Sequence, residues 1–186
     1  MSTVPPAAPS VQLCVPTDED ALSWHRAFDD PEVMEFFGGT PAELSLRGVD
    51  RPSPSSQLRS SRGDPIRRHD AELGYCLWTV LGEDGEVVGF TGAQPWPQTA
   101  YGPAGETEIG WRLGRAAWGR GYATAAARLT LERLRAAGVE RVVAAIDSRN
   151  ERSIAVARRL GMERAETFTP EQSGQMVQCF RLALNA

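Results

Sequence analysis

The stretch Glu108-Ile-Gly-Trp-Arg-Leu-Gly-Arg-Ala-Ala-Trp-Gly-Arg-Gly-Tyr-Ala-Thr124 combines a strand, a tight glycine turn and the beginning of a helix. Gly119 and Gly121 flank Arg120 within the turn. Glycine lets backbone N–H groups approach an anion closely, because it carries no Cβ. The first turn of a helix adds unpaired N–H groups and partial positive charge. The stretch therefore predicts a cradle for the phosphates of a cofactor.

The residues that follow the glycine turn predict a helix and then a buried strand. Apolar side chains recur at helical spacing from Tyr122 to Ala137, and Gly138 is a typical helix stop. Arg141 to Ile146 is a continuous apolar run, typical of a strand buried on both faces. Strand, helix and strand form one right-handed βαβ unit. The pattern further predicts a helix over 152–160 and strands over 162–168 and 176–184.

The chain before the turn predicts one strand, two helices and three antiparallel strands. Thr17 is suited to cap the first helix, with Asp20 three residues on in a capping-box position. Pro31 suits the first turn of the second helix, and Gly82-Glu-Asp-Gly85 suits a hairpin turn. The expected strands are 11–15, 72–81, 86–93 and 107–113, and the expected helices are 16–28 and 31–37.

Two segments carry no regular pattern. Residues 1–9 are small and rich in proline, and we expect a flexible N-terminus without a secretion signal. Residues 48–70 are rich in proline, serine and arginine with few large apolar side chains, which predicts a mobile loop insertion. At a length of 186 residues, the chain from 10 to 186 is expected to form a single domain.

Charge and composition narrow the possible classes of function. The net charge of −4 argues against nucleic acid as the main partner, and the absence of a run of about 18 apolar residues argues against a membrane span. Three scattered cysteines and two histidines predict no metal site and no disulfide framework. All 20 basic residues are arginine, which removes lysine-dependent chemistry. We expect a cytoplasmic protein, present as a monomer or homodimer.

Six blocks occur in a specific order along the chain: Asp30-Pro-Glu-Val-Met34, Gly74-Tyr-Cys-Leu-Trp-Thr-Val80, Val88-Gly-Phe-Thr-Gly92, Glu108-Ile-Gly-Trp111, Trp118-Gly-Arg-Gly-Tyr-Ala-Thr124, and Asn150-x-x-Ser153 with Leu160-Gly161-Met162. Together they resemble the GCN5-related N-acetyltransferase (GNAT) family, and within it the ribosomal-protein-alanine N-acetyltransferase-like branch. The resemblance spans residues 11–184 except the segment 48–70. It implies an α+β (mixed α/β) fold with a central twisted mixed sheet of about six or seven strands. Helices would cover both faces, with one βαβ unit at an acyl-CoA site.

The resemblance implies acetyl-CoA, or another acyl-CoA, as co-substrate. Two parallel strands would splay apart, and the backbone of the first would pair with the pantetheine arm. The N–H groups of the glycine turn would hold the pyrophosphate, and Asn150 the pantetheine or the polar end of the groove. The implied cofactor-binding residues are Trp111, Arg112, Leu113, Gly119, Arg120, Gly121, Tyr122, Ala123, Thr124, Asn150 and Ser153. Arginine candidates for the phosphates are Arg115, Arg120, Arg152, Arg158 and Arg159.

Two positions depart from the family pattern. Trp118 stands where the acetyl-CoA motif has Gln or Arg, although Gly121 and Ala123 match the later positions. Ala157 stands where many members carry a tyrosine that protonates the leaving thiolate. The backbone contacts to pyrophosphate should survive the first change, whereas the second leaves the general acid open.

Acyl transfer to an amine requires a base, and Glu108 is the predicted general base, acting directly or through a water. Glu106 is a weaker second candidate. Ser153 is a candidate to relay a proton to the thiolate, and an equal alternative is that it caps the helix that follows. The expected acceptor is a primary amine, either a small molecule or a protein N-terminus.

Two other functions fit parts of the pattern. Gly119-x-Gly121-x-x-Thr124 approximates a dinucleotide-binding fingerprint, with Asp147 ending the next strand, but a doubly wound sheet needs more parallel strands than this chain supplies. A GNAT-like module that binds acyl-CoA or a small molecule without catalysis is the second alternative, favoured by the changes at Trp118 and Ala157.

Overall fold

The computed structural model describes residues 8–36, 65–95, 105–169 and 174–185. The strands are β1 (Gln12–Cys14), β2 (Leu77–Leu81), β3 (Val87–Pro95), β4 (Thr107–Leu113), β5 (Arg141–Asp147), β6 (Glu163–Phe168) and β7 (Val177–Ala183). The helices are α1 (Asp18–Phe28), α2 (Pro31–Met34), α3 (Pro65–Leu73), α4 (Tyr122–Ala136) and α5 (Glu151–Arg159). A 3₁₀ turn, Arg115–Ala117, precedes the glycine turn.

The described strands form one mixed sheet of seven strands in the order β1-β2-β3-β4-β5-β7-β6. Neighbouring strands are antiparallel except β4 and β5, which are parallel. The parallel pairing covers only Thr107 with Val142 and Glu108 with Val143. Beyond Glu108 the two strands therefore run on without pairing to each other, and a gap opens between them. The predicted mixed α/β fold is confirmed.

Helices cover both faces of the sheet. On one face, Thr91 of β3 meets Thr130 of α4, with their hydroxyl oxygens 3.1 Å apart. On the other face, the ring of Phe90 packs against Trp24 and Phe28 of α1, with ring centroids 5.2 and 5.6 Å apart. Successive side chains of a strand point to opposite faces, so neighbouring residues of β3 pack against different helices. Helix α5 lies against β5 and touches α4.

The beginning of α1 follows the predicted capping box. The backbone N–H of Asp20 donates to the Thr17 hydroxyl at 3.2 Å, and the Thr17 N–H donates to the Asp20 carboxylate at 2.8 Å. Asp30 caps α2 by accepting from the N–H of Glu32 at 2.8 Å. Helix α2 ends at Met34, earlier than expected, and the rest of the predicted helix reaches residue 37, outside the described residues.

The loop prediction for residues 48–70 is wrong for residues 65–70, which belong to α3. The buried side chain of Ile66 anchors this helix, and Arg67 donates to the carbonyl of Pro16 at 3.3 Å. Arg68 and Glu72, one turn apart, form a salt bridge of 4.0 Å. The strand expected from residue 72 begins only at 77, because the helix continues to Leu73. Residues 48–64 lie outside the described residues.

Gly74 explains where α3 stops. Its φ of +74° is the left-handed conformation that glycine adopts at a helix end. The other elements match their predicted positions to within about two residues. Cys76 and Cys179 are buried and Cys14 is half-buried, so two of the three cysteines pack in the interior as expected. Across the described ranges, no helix has the length and apolar character needed to cross a membrane.

Candidate active site

The gap between β4 and β5 is the main feature of the site. Pairing stops at Glu108 and Val143, so the edge of β4 from Ile109 to Leu113 faces the gap. On its other side β4 remains fully paired to β3. A backbone edge beside an open gap can pair with a linear ligand that carries amide groups, as a further strand would. The geometry thus fits the pantetheine arm that the sequence implies.

The glycine turn lies at the carboxyl end of β4 and opens α4. Gly119 and Gly121 have φ of +73° and +82°, the left-handed backbone conformation that glycine adopts most easily. No side chain caps α4, and its first turn contains no acidic residue. The first helical bond runs from the N–H of Ala125 to the carbonyl of Gly121. The N–H groups before it lack helical partners, as an anion cradle requires.

The side chains beside this cradle mostly belong to the core. Leu113, Tyr122 and Thr124 are buried, and Trp111 packs partly buried against the core. Ala123 also packs against the core. For these predicted cofactor residues, a contact to acyl-CoA rests on the backbone rather than on the side chain. The exposed members of the predicted set are Gly119, Arg120 and Gly121.

Arg112 points away from the cradle, toward α1 and α2. Its guanidinium carbon lies 5.3 Å from the ring centre of Phe28 and 5.6 Å from that of Phe90. One of its nitrogens is 3.9 Å from the sulfur of Met34. Burial lowers the pKa of Arg112 to about 10. Only the backbone of this residue is available for the predicted pantetheine contact, and no pattern in the sequence indicates that its side chain is buried.

Two of the arginine candidates near the glycine turn have distinct environments. Arg115 forms an ion pair with Glu32 of α2. The guanidinium of Arg120 lies over the ring of Tyr122, 4.7 Å from its centre. The pair with Glu32 offsets the charge of Arg115, whereas Arg120 keeps its charge at the entrance of the cradle.

The face of β4 toward α1 and α2 carries the predicted base. Because side chains alternate along a strand, Glu108 and Gly110 share the face on which Arg112 meets Phe28. Glu108 is half-buried and lies at the last paired position before the gap, and Gln94 donates to its carboxylate at 3.5 Å. Among the described residues other than its chain neighbours, a Cβ added to Gly110 would meet no atom within 4 Å, so open space lies over Gly110 on the face that carries Glu108.

Glu106, the second candidate base, is held in an ion pair. Arg181 of β7 contacts Glu106 at 3.1 Å and also pairs with Glu166 of β6. The hydrogen bond from Arg181 keeps the pKa of Glu166 below its usual range. Burial raises the pKa of the neighbouring Cys179 thiol to about 11, so this cysteine stays protonated and unreactive at neutral pH. The pairing disfavours Glu106 as the base.

The loop after β5 is fixed by Asp147. Its carboxylate accepts from the backbone N–H of Arg149 at 2.9 Å and from two guanidinium nitrogens at 3.0 and 2.8 Å. These hydrogen bonds hold the pKa of Asp147 below its usual range. The guanidinium also lies 5.6 Å from the ring centre of Phe36, just after α2. The loop after β5 therefore contacts the residue range that follows α2, and the sequence pattern does not predict this contact.

Asn150, not Ser153, caps α5. The Asn150 side-chain oxygen accepts from the N–H of Ser153 at 3.0 Å. The alternative in which Ser153 is the cap is therefore wrong, because Ser153 is the third residue inside the helix. Its proton-relay role stays a prediction. Ala157, at the position where many relatives have a tyrosine, is fully buried and offers no proton.

We expect Asn150→Ser and Asn150→Ala to separate capping from cofactor binding. Serine keeps an oxygen cap, so the free energy of unfolding should stay within about 0.5 kcal/mol, whereas alanine should lower it by about 1 kcal/mol. Both variants lose the side-chain amide donor, so both should bind CoA severalfold more weakly. Urea unfolding and calorimetric titration measure the two effects. A serine variant with wild-type CoA affinity would leave Asn150 a helix cap only.

Several solved structures share this fold. The chain superimposes on the GNAT-family acetyltransferase from Bacillus anthracis with a TM-score of 0.67 and 17% identity, covering 97% of this chain and 98% of that one. For Salmonella typhimurium yncA with its cofactor acetyl-CoA, the values are 0.66 and 19%, covering 94% of each chain. For spermidine N-acetyltransferase from Vibrio cholerae in complex with CoA and spermine, they are 0.64 and 11%, covering 94% and 95%. At these identities the likeness establishes the fold alone.

Sequence comparison establishes the family. The YkkB protein of Bacillus subtilis strain 168, itself uncharacterized, is 30% identical over 162 residues, covering 83% of this chain and 82% of that protein. The model of the acetyltransferase (GNAT) domain family matches residues 11–163, which include the gap between β4 and β5, the glycine turn and the cap of α5. The chain therefore belongs to the GNAT acetyltransferase family and is an acyl-CoA-dependent N-acetyltransferase.

Proposed function

We propose that the protein transfers the acetyl group of acetyl-CoA to a primary amine by direct attack within a ternary complex. The acceptor is either a protein N-terminal α-amine, as in the ribosomal-protein-alanine branch, or a small-molecule amine. The observation that carries the proposal is the position of Glu108. It lies where β4 and β5 part, beside the open space over Gly110 and on the face toward α1 and α2.

In this proposal acyl-CoA and the acceptor amine lie on different sides of β4. The cradle of α4 and the edge of β4 hold acyl-CoA in the gap. Glu108 and Gly110 face α1 and α2, so the acceptor amine approaches from that side. Phe28 and Met34 supply apolar walls there, next to Arg112. Residues 10–186 act as one domain in this proposal, as a monomer or homodimer.

The chain's own residues perform the proton transfers. When bound, acetyl-CoA supplies a thioester carbonyl that a neutral amine attacks directly. Glu108 accepts the proton of the amine, directly or through a water. Ser153, half-buried in the first turn of α5, is the proposed relay of a proton to the leaving thiolate. The backbone N–H groups at the gap orient the cofactor and stabilise charge that develops during transfer.

The pKa of the acceptor amine decides how much free energy its deprotonation costs. Deprotonating a side-chain amine with a pKa of about 10.4 costs about 4.6 kcal/mol at pH 7. For an α-amine with a pKa of about 7.8, the cost is only about 1 kcal/mol. A single half-buried carboxylate therefore suits an α-amine or another amine of low pKa better than a lysine-like amine.

The test measures binding and turnover separately. Acetyl-CoA should raise the melting temperature, since a ligand that binds only the folded state stabilises it by mass action. Thiol release from acetyl-CoA should then depend on an added amine, in a panel of α-amino peptides, amino sugars and polyamines. Stabilisation by NAD alone would overturn the proposal. Binding of acetyl-CoA without turnover on any amine would favour a non-catalytic binding module.

A further inference from the structure

Trp118 and Arg152 form a stacked pair between the glycine turn and α5. The guanidinium carbon of Arg152 lies 4.3 Å from the centre of the Trp118 ring. Trp118 directly precedes the glycine turn that follows β4, whereas Arg152 is the second residue of the helix that follows β5. Because β4 and β5 have parted by then, the pair bridges the gap at its carboxyl end.

We propose that Arg152, held in place by Trp118, binds a phosphate group of CoA, so that α5 contributes to the cofactor site. The proposal rests on acyl-CoA binding in the gap between β4 and β5. It assigns to Trp118 a positioning role at the place where the motif elsewhere in the family carries Gln or Arg. The cation that the turn lacks at position 118 then comes from the neighbouring helix.

The geometry of the pair leaves Arg152 able to bind an anion. The indole N–H of Trp118 donates to the carbonyl of Leu113 at 2.9 Å, which fixes the ring against the end of β4. A guanidinium stacked on an aromatic face uses its flat side, and its N–H donors stay available at its edge. Within the described residues, no carboxylate forms a salt bridge with Arg152. The guanidinium of Arg152 is thus held over the ring while its donors remain available.

The position of Arg152 is not explained by helix stability. The amino end of a helix carries partial positive charge, so a cation in the first turn of α5 is unfavourable for the helix itself. Arg115, by comparison, pairs with Glu32 and adds little to the local potential. Arg120 belongs to the glycine turn that opens α4, Arg152 lies over the ring of Trp118 just before that turn, and each guanidinium therefore contacts an aromatic ring next to the turn. Two oriented guanidinium groups and a helix start together suit a polyphosphate ligand.

Calorimetric titration of the full chain with CoA tests the proposal, with the melting temperature as a second readout. Arg152→Ala should weaken CoA binding by about tenfold or more, because a hydrogen-bonded charge pair to phosphate is lost. The matched control is Arg164→Ala, which removes another exposed arginine, on β6, and should change affinity by less than about twofold. Equal affinities of the two variants would overturn the proposal, as would a loss confined to thermal stability.

Two further comparisons test which phosphate of CoA Arg152 binds and whether the Trp118 ring positions it. Dephospho-CoA lacks the 3′-phosphate. If Arg152→Ala weakens the binding of CoA but not of dephospho-CoA, Arg152 binds the 3′-phosphate; if it weakens the binding of both equally, Arg152 binds the pyrophosphate.

Trp118→Leu should weaken CoA binding severalfold because Arg152 loses its support, whereas Trp118→Phe keeps a ring face and should bind CoA more tightly than the leucine variant. Wild-type affinity in Trp118→Leu would contradict the positioning role. Failure of the wild-type chain to bind CoA would instead overturn the proposed function.

Discussion

Glu108→Gln is expected to lower kcat by about a hundredfold or more at pH 7 while leaving the Kd for CoA unchanged. Glutamine has nearly the same shape as glutamate, so the bond from Gln94 can be replaced and the edge of β4 is undisturbed. The variant cannot accept a proton from the attacking amine. The loss should shrink as the pH rises, because the amine then reaches the site already deprotonated. Initial rates between pH 6 and about 10 would show this convergence.

Glu106→Gln is the matched comparison, because it makes the same chemical change two residues away, directly before β4. Its carboxylate is engaged by Arg181, so its loss removes a half-exposed ion pair and should cost little activity. A large fall in kcat for Glu106→Gln, with near-normal rates for Glu108→Gln, would transfer the base role to Glu106. Similar pH–rate profiles for Glu108→Gln and wild type would end the assignment of Glu108.

Gly119→Asp is expected to weaken CoA binding by more than about a hundredfold, whereas Gly119→Asn should weaken it only modestly. Asn and Asp have the same size and both tolerate the left-handed backbone that Gly119 adopts at φ +73°. Apart from its chain neighbours, no atom in the described part of the chain lies within 4 Å of a Cβ at this position, so neither variant should disturb packing. The two differ by one negative charge beside the cradle.

The magnitude follows from electrostatics. A unit charge about 5 Å from one phosphate charge, at an effective dielectric constant of about 20, costs about 3 kcal/mol. That cost corresponds to more than a hundredfold in Kd. Titration with CoA at low and high salt measures the effect, which should diminish as salt screens the charges. Equal affinities of the aspartate and asparagine variants would show that the turn does not bind phosphate.

The structural elements could be predicted where the cause is local. The start of α1 depends on Thr17 and Asp20, three residues apart, and the glycine turn depends on backbone conformations that only Gly119 and Gly121 adopt easily. The continuous apolar run of β5 reflects burial on both faces. By contrast, α3 lies in a polar segment and is anchored by one buried residue, Ile66, so its own pattern was too weak to predict it.

The contacts of the site depend on residues far apart in the chain. Trp118 and Arg152 meet because β4 and β5 part, and Arg112 turns toward Phe28 because alternation along β4 sets its face. The alternative in which Ser153 caps α5 is wrong because Asn150 and Ser153 both carry side-chain oxygens that suit capping, and only the backbone geometry distinguishes them.

The sequence alone therefore determined the order of the elements, the glycine turn and the family resemblance, because each depends on residues close together or on a specific order of motifs. The tertiary structure decided on which face of the sheet each side chain lies and which residues it contacts. It placed Glu108 at the point where the strands part, paired Glu106 with Arg181, and brought Arg152 onto Trp118. Such contacts depend on where strands diverge and how helices cross the sheet. They join residues that are far apart in the sequence, so no local sequence pattern predicts them.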